Sequence, residues 1–107
     1  VQILITERHT SASQEVKDYV REKAGKLVRY YDRISAIDVI LDGAGDQGHV
    51  EMIVRVDGAD DFVAREANGD FYAGVDKVID RLERQLTSFK EKLRNRKHIS
   101  RKPAAEE

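Results

Sequence analysis

Lys77, Arg81, Arg84, Ser88 and Lys92 follow one another at spacings of four, three, four and four, which on an α-helix puts four cations and a hydroxyl along one face. Lys90 and Arg94 carry positive charge farther along the same segment, with Arg96, Lys97, Arg101 and Lys102 beyond them. Lys23, Lys26 and Arg29 form a smaller group of the same kind upstream, followed by Arg33. Such sets can neutralise a polyanion: each phosphate met by a lysine or arginine releases condensed counterions, so binding falls steeply as salt rises. Cations near a helix C-terminus also favour the backbone dipole with no partner at all. Residue types alone leave a polyanion site and a solvated helix face side by side.

The remaining polar residues form no catalytic constellation. His9, His49 and His98 share no metal-ligand spacing, and the absence of cysteine removes thiolate metal sites, disulfides and cysteine nucleophiles. Asp60 and Asp61 are neighbours, and on a strand neighbours point to opposite faces. Gly43, Gly45 and Gly48 are followed by strand-like sequence rather than by the Gly-Lys-Ser/Thr of a phosphate loop. The expectation is therefore a binding protein rather than an enzyme, with no metal, no cofactor and no small-molecule substrate.

Composition sets the scale. The 107 residues, 40% hydrophobic and 36% charged, suit one globular domain with a heavily ionised surface. Net charge is −1, but residues 1–80 hold 10 Lys and Arg against 16 Asp and Glu, whereas residues 81–102 hold 9 against 2. The basic charge is thus gathered at the C-terminal end. No apolar run approaches the ~20 residues of a membrane span, and no basic stretch leads into an apolar one at the N-terminus. With no cysteine, a reducing cytoplasm fits best, and the isolated domain is expected to be monomeric and off the membrane.

The elements that must position the cations can be read from periodicity. Residues 2–8 are short, aliphatic and β-branched, as a strand should be. Ser11 and Ser13 are candidate caps, Ser11 and Gln14 have capping-box spacing, and Val16, Val20, Leu27 and Tyr31 mark a helix to about residue 31. Ile37, Val39 and Leu41 alternate over 34–42, and the glycine-rich 43–48 reads as a hairpin connection. Val50, Met52, Val54 and Val56 then give a third strand, Asp57-Gly58 a turn, and residues to about 67 a fourth strand whose alternation leaves its inward face open. Asp70 is placed to cap a second helix, along which Tyr72, Val75, Ile79, Leu82, Leu86, Phe89 and Leu93 recur every three or four residues. The order β-α-β-β-β-α predicts an α+β domain over residues 1–98, a four-stranded sheet covered on one face by two helices, with a tail over 99–107.

Four short segments then carry a resemblance: Ile5-Thr6 with Arg8-His9; Tyr30-Tyr31-Asp32-Arg33-Ile34; Asp70-Phe71-Tyr72-Ala73-Gly74-Val75-Asp76; and Asp80-Arg81-Leu82-Glu83-Arg84-Gln85-Leu86. In this order and spacing they resemble the ribosome hibernation-promoting factor family, also called ribosome-associated inhibitor or sigma-54 modulation proteins, over about residues 2–95. The resemblance implies a domain similar in plan to double-stranded-RNA-binding domains. It would sit between the head and body of the small ribosomal subunit and sterically block tRNA and mRNA near the decoding centre in stress or stationary phase. It also implies rRNA-backbone contacts by Lys23, Lys26, Arg81, Arg84, Lys90 and Lys92, to which location and charge add Arg29, Arg33, Lys77 and Arg94. Two departures stand out: Ser88 occupies a position where relatives often have lysine, and Glu7 one where glycine is frequent. The long-form family members' second, dimerising domain has no counterpart in these 107 residues. The alternative is a protein-interaction module that docks a partner through the apolar stripe of the second helix, which requires that stripe to be exposed.

Overall fold

The chain folds in the order β1 (Gln2–Arg8), α1 (Gln14–Tyr30), β2 (Ile34–Asp42), β3 (His49–Val56), β4 (Phe62–Ala67) and α2 (Phe71–Ser100). This is a computed structural model; it describes residues 1–44, 48–67 and 69–100, with side chains through Arg94. The expected hairpin connection falls outside the described residues at 45–47, and the tail expected over 99–107 does so from Arg101 on, while its first two residues, Ile99 and Ser100, continue the backbone of α2.

The sheet runs β1-β2-β3-β4, with β1 parallel to β2 and the other pairs antiparallel. Because side chains alternate across a pleat, the register builds three rows on one face: Ile3-Ile37-Val54-Phe62, Ile5-Val39-Met52-Ala64 and Glu7-Leu41-Val50-Glu66. Both helices pack on that face. Val16, Val20, Ala24 and Leu27 of α1 and Val75, Val78, Ile79, Leu82 and Leu86 of α2 are buried against it. Each large aliphatic side chain so covered contributes roughly 1.5–3 kcal/mol. The fourth strand's ambiguity is resolved by pairing: Phe62 lies opposite Val54 and Ala64 opposite Met52, so Val63 faces outward beside Ile53 and is 46% exposed.

The helix starts show where the local rules held. Ser13 is the N-cap of α1, its hydroxyl accepting from the Val16 N–H at 3.2 Å, while Gln14 donates to Asp18 instead of closing a box with Ser11. Asp70 accepts from the Tyr72 N–H at 3.0 Å, as a cap for α2 should. Glu7 organises the turn out of β1: its carboxylate accepts from the Ala12 N–H and pairs with Lys17 at 3.5 Å. Gly43 must be small, because a Cβ there would stand 2.7 Å from the His9 carbonyl oxygen, and Gly58 turns β3 into β4 at φ +80°.

Two interhelical contacts fix how the helices lie. The Tyr19 hydroxyl donates to Asp76, and the hydroxyls of Tyr30 and Thr87 are 2.6 Å apart; both pairs are separated by 57 residues. A constant offset means that α1 and α2 run parallel and in step, with both C-termini at the same end. Their dipoles are aligned, an arrangement that cations at that end offset.

Candidate nucleic-acid interface

α2 lies between α1 and β4, so its two flanks meet different neighbours. The flank toward α1 carries Asp76, Thr87 and Lys90; the flank toward β4 carries Arg81, Gln85, Ser88 and Phe89. The ten predicted cations divide accordingly, and the structure sorts them by what each touches.

Three are held by carboxylates. Glu66, at the end of the third buried row with its side chain only 16% exposed, receives Arg81 at 2.6 Å and Lys77 at 3.8 Å. Arg81 also donates to the carbonyl of Arg65. Arg84, largely exposed, pairs with Asp80 one turn back at 2.9 Å. The pair at Glu66 mirrors Glu7 and Lys17: each helix is laced to its nearest edge strand by a partly covered ion pair.

The other seven form no ion pair among the described residues. Lys90 rests over the Tyr30 ring at 4.3 Å and near that of Tyr31 at 5.9 Å, close to the Tyr30 carbonyl; Lys23 stands over Tyr19 at 5.3 Å. A ring face holds a cation in place, worth about 0.5–1 kcal/mol at an exposed site, without cancelling its charge. Lys26, Arg29, Arg33, Lys92 and Arg94 are exposed. Lys23 and Lys26 share the α2-facing side of α1 with Tyr19 and Tyr30, level with Asp80 and Glu83 by the 57-residue offset. The α1 lysines and the Arg84–Lys92 row therefore flank α2 on opposite sides.

Several participants were invisible to helical spacing alone: Tyr19, Tyr30 and Thr87 as interhelical contacts, and Gln85, whose side-chain amide donates to the Val63 carbonyl. Tyr72, expected in the core stripe, is 39% exposed and meets the Tyr19 ring edge-on at 5.1 Å, while Val78 and Ala24 join the core in its place. Two shallow hollows open beside α2. One, about 390 Å³, is lined by Phe62, Arg84, Gln85, Ser88, Phe89 and Lys92; the other, about 330 Å³, by Tyr30, Thr87, Lys90, Glu91 and Arg94.

Elsewhere the polar chemistry is structural. The Ala44 N–H, and then His9 at 3.2 Å, hold the Asp42 carboxyl below its usual range, fastening the end of β2 to the turn after β1. The hydrogen bond to Asp76 pushes Tyr19 up to about 12. Among the described residues no three His, Asp or Glu side chains gather as a metal would require, and no helix is long and apolar enough to cross a membrane. The stripe of α2 that a partner helix would need is occupied by the protein's own sheet, with Val75, Val78, Leu82 and Leu86 fully covered.

Comparison with known proteins gives a consistent picture. Residues 3–94 match the family described as sigma 54 modulation protein / S30EA ribosomal protein. The ribosome hibernation promoting factor of Azotobacter vinelandii is 35% identical over 92 residues, covering 86% of this chain and 85% of that protein. Its namesake in Escherichia coli (strain K12) is 32% identical over 94 residues, covering 88% and 98%. Among solved structures, the Thermus thermophilus Protein Y N-terminal domain superimposes with a TM-score of 0.69 at 33% identity, covering 81% of this chain and 94% of that one. A ribosomal subunit interface protein from Coxiella burnetii shares the fold, with a TM-score of 0.78 at 24% identity, covering 85% and 99%. With the family model spanning nearly every element of the fold, the chain belongs to the sigma 54 modulation protein / S30EA ribosomal protein family.

Proposed function

We propose that this chain is a cytoplasmic ribosome hibernation factor that binds the rRNA of the small subunit through α1 and α2 and blocks tRNA and mRNA by occupying their path. The observation that carries the reading is that seven of the ten candidate cations form no ion pair among the described residues, although the protein as a whole is slightly acidic. Unpaired cations on a rigid pair of helices are ready to meet phosphates without first breaking internal bonds, and each contact made adds to the salt dependence of binding. Inhibition then needs only occupancy, with no turnover, and belongs to stress or stationary phase, when translation is held in reserve. The names of the two curated relatives point the same way.

Co-sedimentation of the purified chain with separated ribosomal subunits at low and raised salt, with translation assayed on the same material, tests this. The expected result is stoichiometric, salt-sensitive migration with the small subunit and matching inhibition. Protein that stays at the top of the gradient at low salt would overturn the proposal.

A further inference from the structure

The cleft between β4 and α2 has a composition that a row of phosphate contacts alone does not require. Its lining includes two aromatic rings, Phe62 and Phe89, set edge-to-face at 5.3 Å, together with the hydroxyl of Ser88, the amide of Gln85 and two cations two helical turns apart, Arg84 and Lys92. No acid lines it, in contrast to the hollow across α2, which Glu91 enters; the nearest carboxylate to its cations is that of the exposed Asp80, which pairs with Arg84 from one turn back and yields to a phosphate at little cost. Gln85 gives its N–H to the Val63 carbonyl, which leaves its amide oxygen as an acceptor. At about 390 Å³ the cleft stands near the small end of the ~300–1,000 Å³ typical of ligand pockets, too small for a duplex.

From this juxtaposition we infer that the β4–α2 cleft receives one unpaired nucleotide of an RNA strand, its base against Phe62 and Phe89 and its flanking phosphates on Arg84 and Lys92. The inference rests on the RNA-binding reading above and deepens it, because it separates contact with a strand's backbone from capture of a base. Every nucleobase has a face that packs on an aromatic ring, so such a site tolerates sequence while requiring an unstacked residue. Ser88 lies between the two cations in sequence and lines the cleft, so its hydroxyl is placed to bond either the phosphate or the base edge. A helix held in a duplex presents no free base and gains nothing from the rings.

The test follows backbone amide signals of the full chain by NMR while a six-nucleotide single-stranded RNA, the same strand annealed to its complement, or inorganic phosphate is added at low salt. The single strand is expected to move the amides of Phe62, Gln85, Ser88 and Phe89, and the duplex and phosphate to leave them in place. Ser88→Glu, a change at an exposed position, should keep the wild-type melting curve and weaken the single strand at least tenfold. Equal shifts with duplex or with phosphate alone would overturn the inference, as would unchanged affinity in Ser88→Glu. Sedimentation with small subunits keeps the two claims apart. If wild type and Ser88→Glu co-sediment equally well, the cleft assignment falls and the ribosomal reading stands. If wild type does not co-sediment while its cleft amides still respond to the single strand, the ribosomal reading falls and the cleft stands.

Discussion

Arg81 reaches Glu66 at 2.6 Å from the opposite side of the β4–α2 seam, and in the same pose donates to the carbonyl of Arg65. A residue that the family resemblance assigns to phosphate binding is thus engaged in holding the fold. Replacing Glu66 with Gln should separate the two roles. The variant loses a partly covered ion pair, at a cost of about 1 kcal/mol in stability, and frees Arg81 and Lys77 for phosphate. Urea unfolding should register the loss, while small-subunit affinity measured at low salt should rise a few-fold. A fall in affinity would show that Glu66 positions Arg81 for binding rather than competing for it.

Charge reversal at exposed sites should act on binding alone. Lys26 and Arg84 are exposed, so Lys26→Glu should melt like wild type and Arg84→Glu, which loses only its surface pair with Asp80, within about 0.5 kcal/mol of it; each should weaken small-subunit binding by about tenfold at low salt, equivalent to ~1.4 kcal/mol. The slope of log affinity against log salt should fall by about 1 for each phosphate contact removed. Unchanged binding in both variants would remove these two positions from the interface.

The Tyr31 hydroxyl is buried and has no hydrogen-bond partner among the described residues, while its ring packs edge-on against Phe89. Because an unsatisfied buried hydroxyl costs about 1–3 kcal/mol, Tyr31→Phe should be neutral or stabilising in chemical denaturation. Clear destabilisation would mean that the hydroxyl is satisfied in solution.

Tyr19 should ionise later than an ordinary tyrosine. Its pKa is raised from 10.0 to about 12, first by the hydrogen bond to Asp76 and then by burial. A raised folded-state value means that the associated stability is fully present below pH 10 and is lost as pH climbs through about 12. Phenolate absorbance should show a late step that belongs to Tyr19. Asp76→Asn should bring that step down toward the ordinary tyrosine value of 10.0.

Truncating the core tests the packing directly. Leu82 is fully covered between α2 and the sheet, so Leu82→Ala should cost about 2–5 kcal/mol in denaturant-derived stability. A loss below 1 kcal/mol would mean that α2 is less firmly seated than its burial implies.

Period and chemistry made much of this fold legible in the sequence. The alternation of Val50, Met52 and Val54, the caps at Ser13 and Asp70 and the stripe from Val75 to Leu86 are local signals, and each found its element. What local signals leave open is decided by pairing. Phe62, Ala64 and Glu66 could be distinguished from Val63, Arg65 and Ala67 only once β3 lay alongside. The division of the cations was hidden in part for the same reason: helical spacing groups Lys77, Arg81 and Arg84 with Lys92 and offers Asp80 to Arg84 four residues on, while only packing shows that Glu66 of β4 holds Lys77 and Arg81. The 57-residue step between α1 and α2, which places Tyr30 against Thr87, has no signature within either helix.

The hydrogen bonds from Arg81 and Gln85 to the carbonyls of Arg65 and Val63 have one more effect, on what the edge of the sheet offers. They cover the outer rim of β4, where a foreign strand would otherwise add, whereas no side chain bonds the backbone of Gln2–Glu7 in β1 among the described residues. One border of the sheet is thus blocked and the other open. Edge-to-edge pairing through β4 would first have to displace Arg81, which Glu66 holds in place, so the ion pair that seats α2 also guards the sheet's rim.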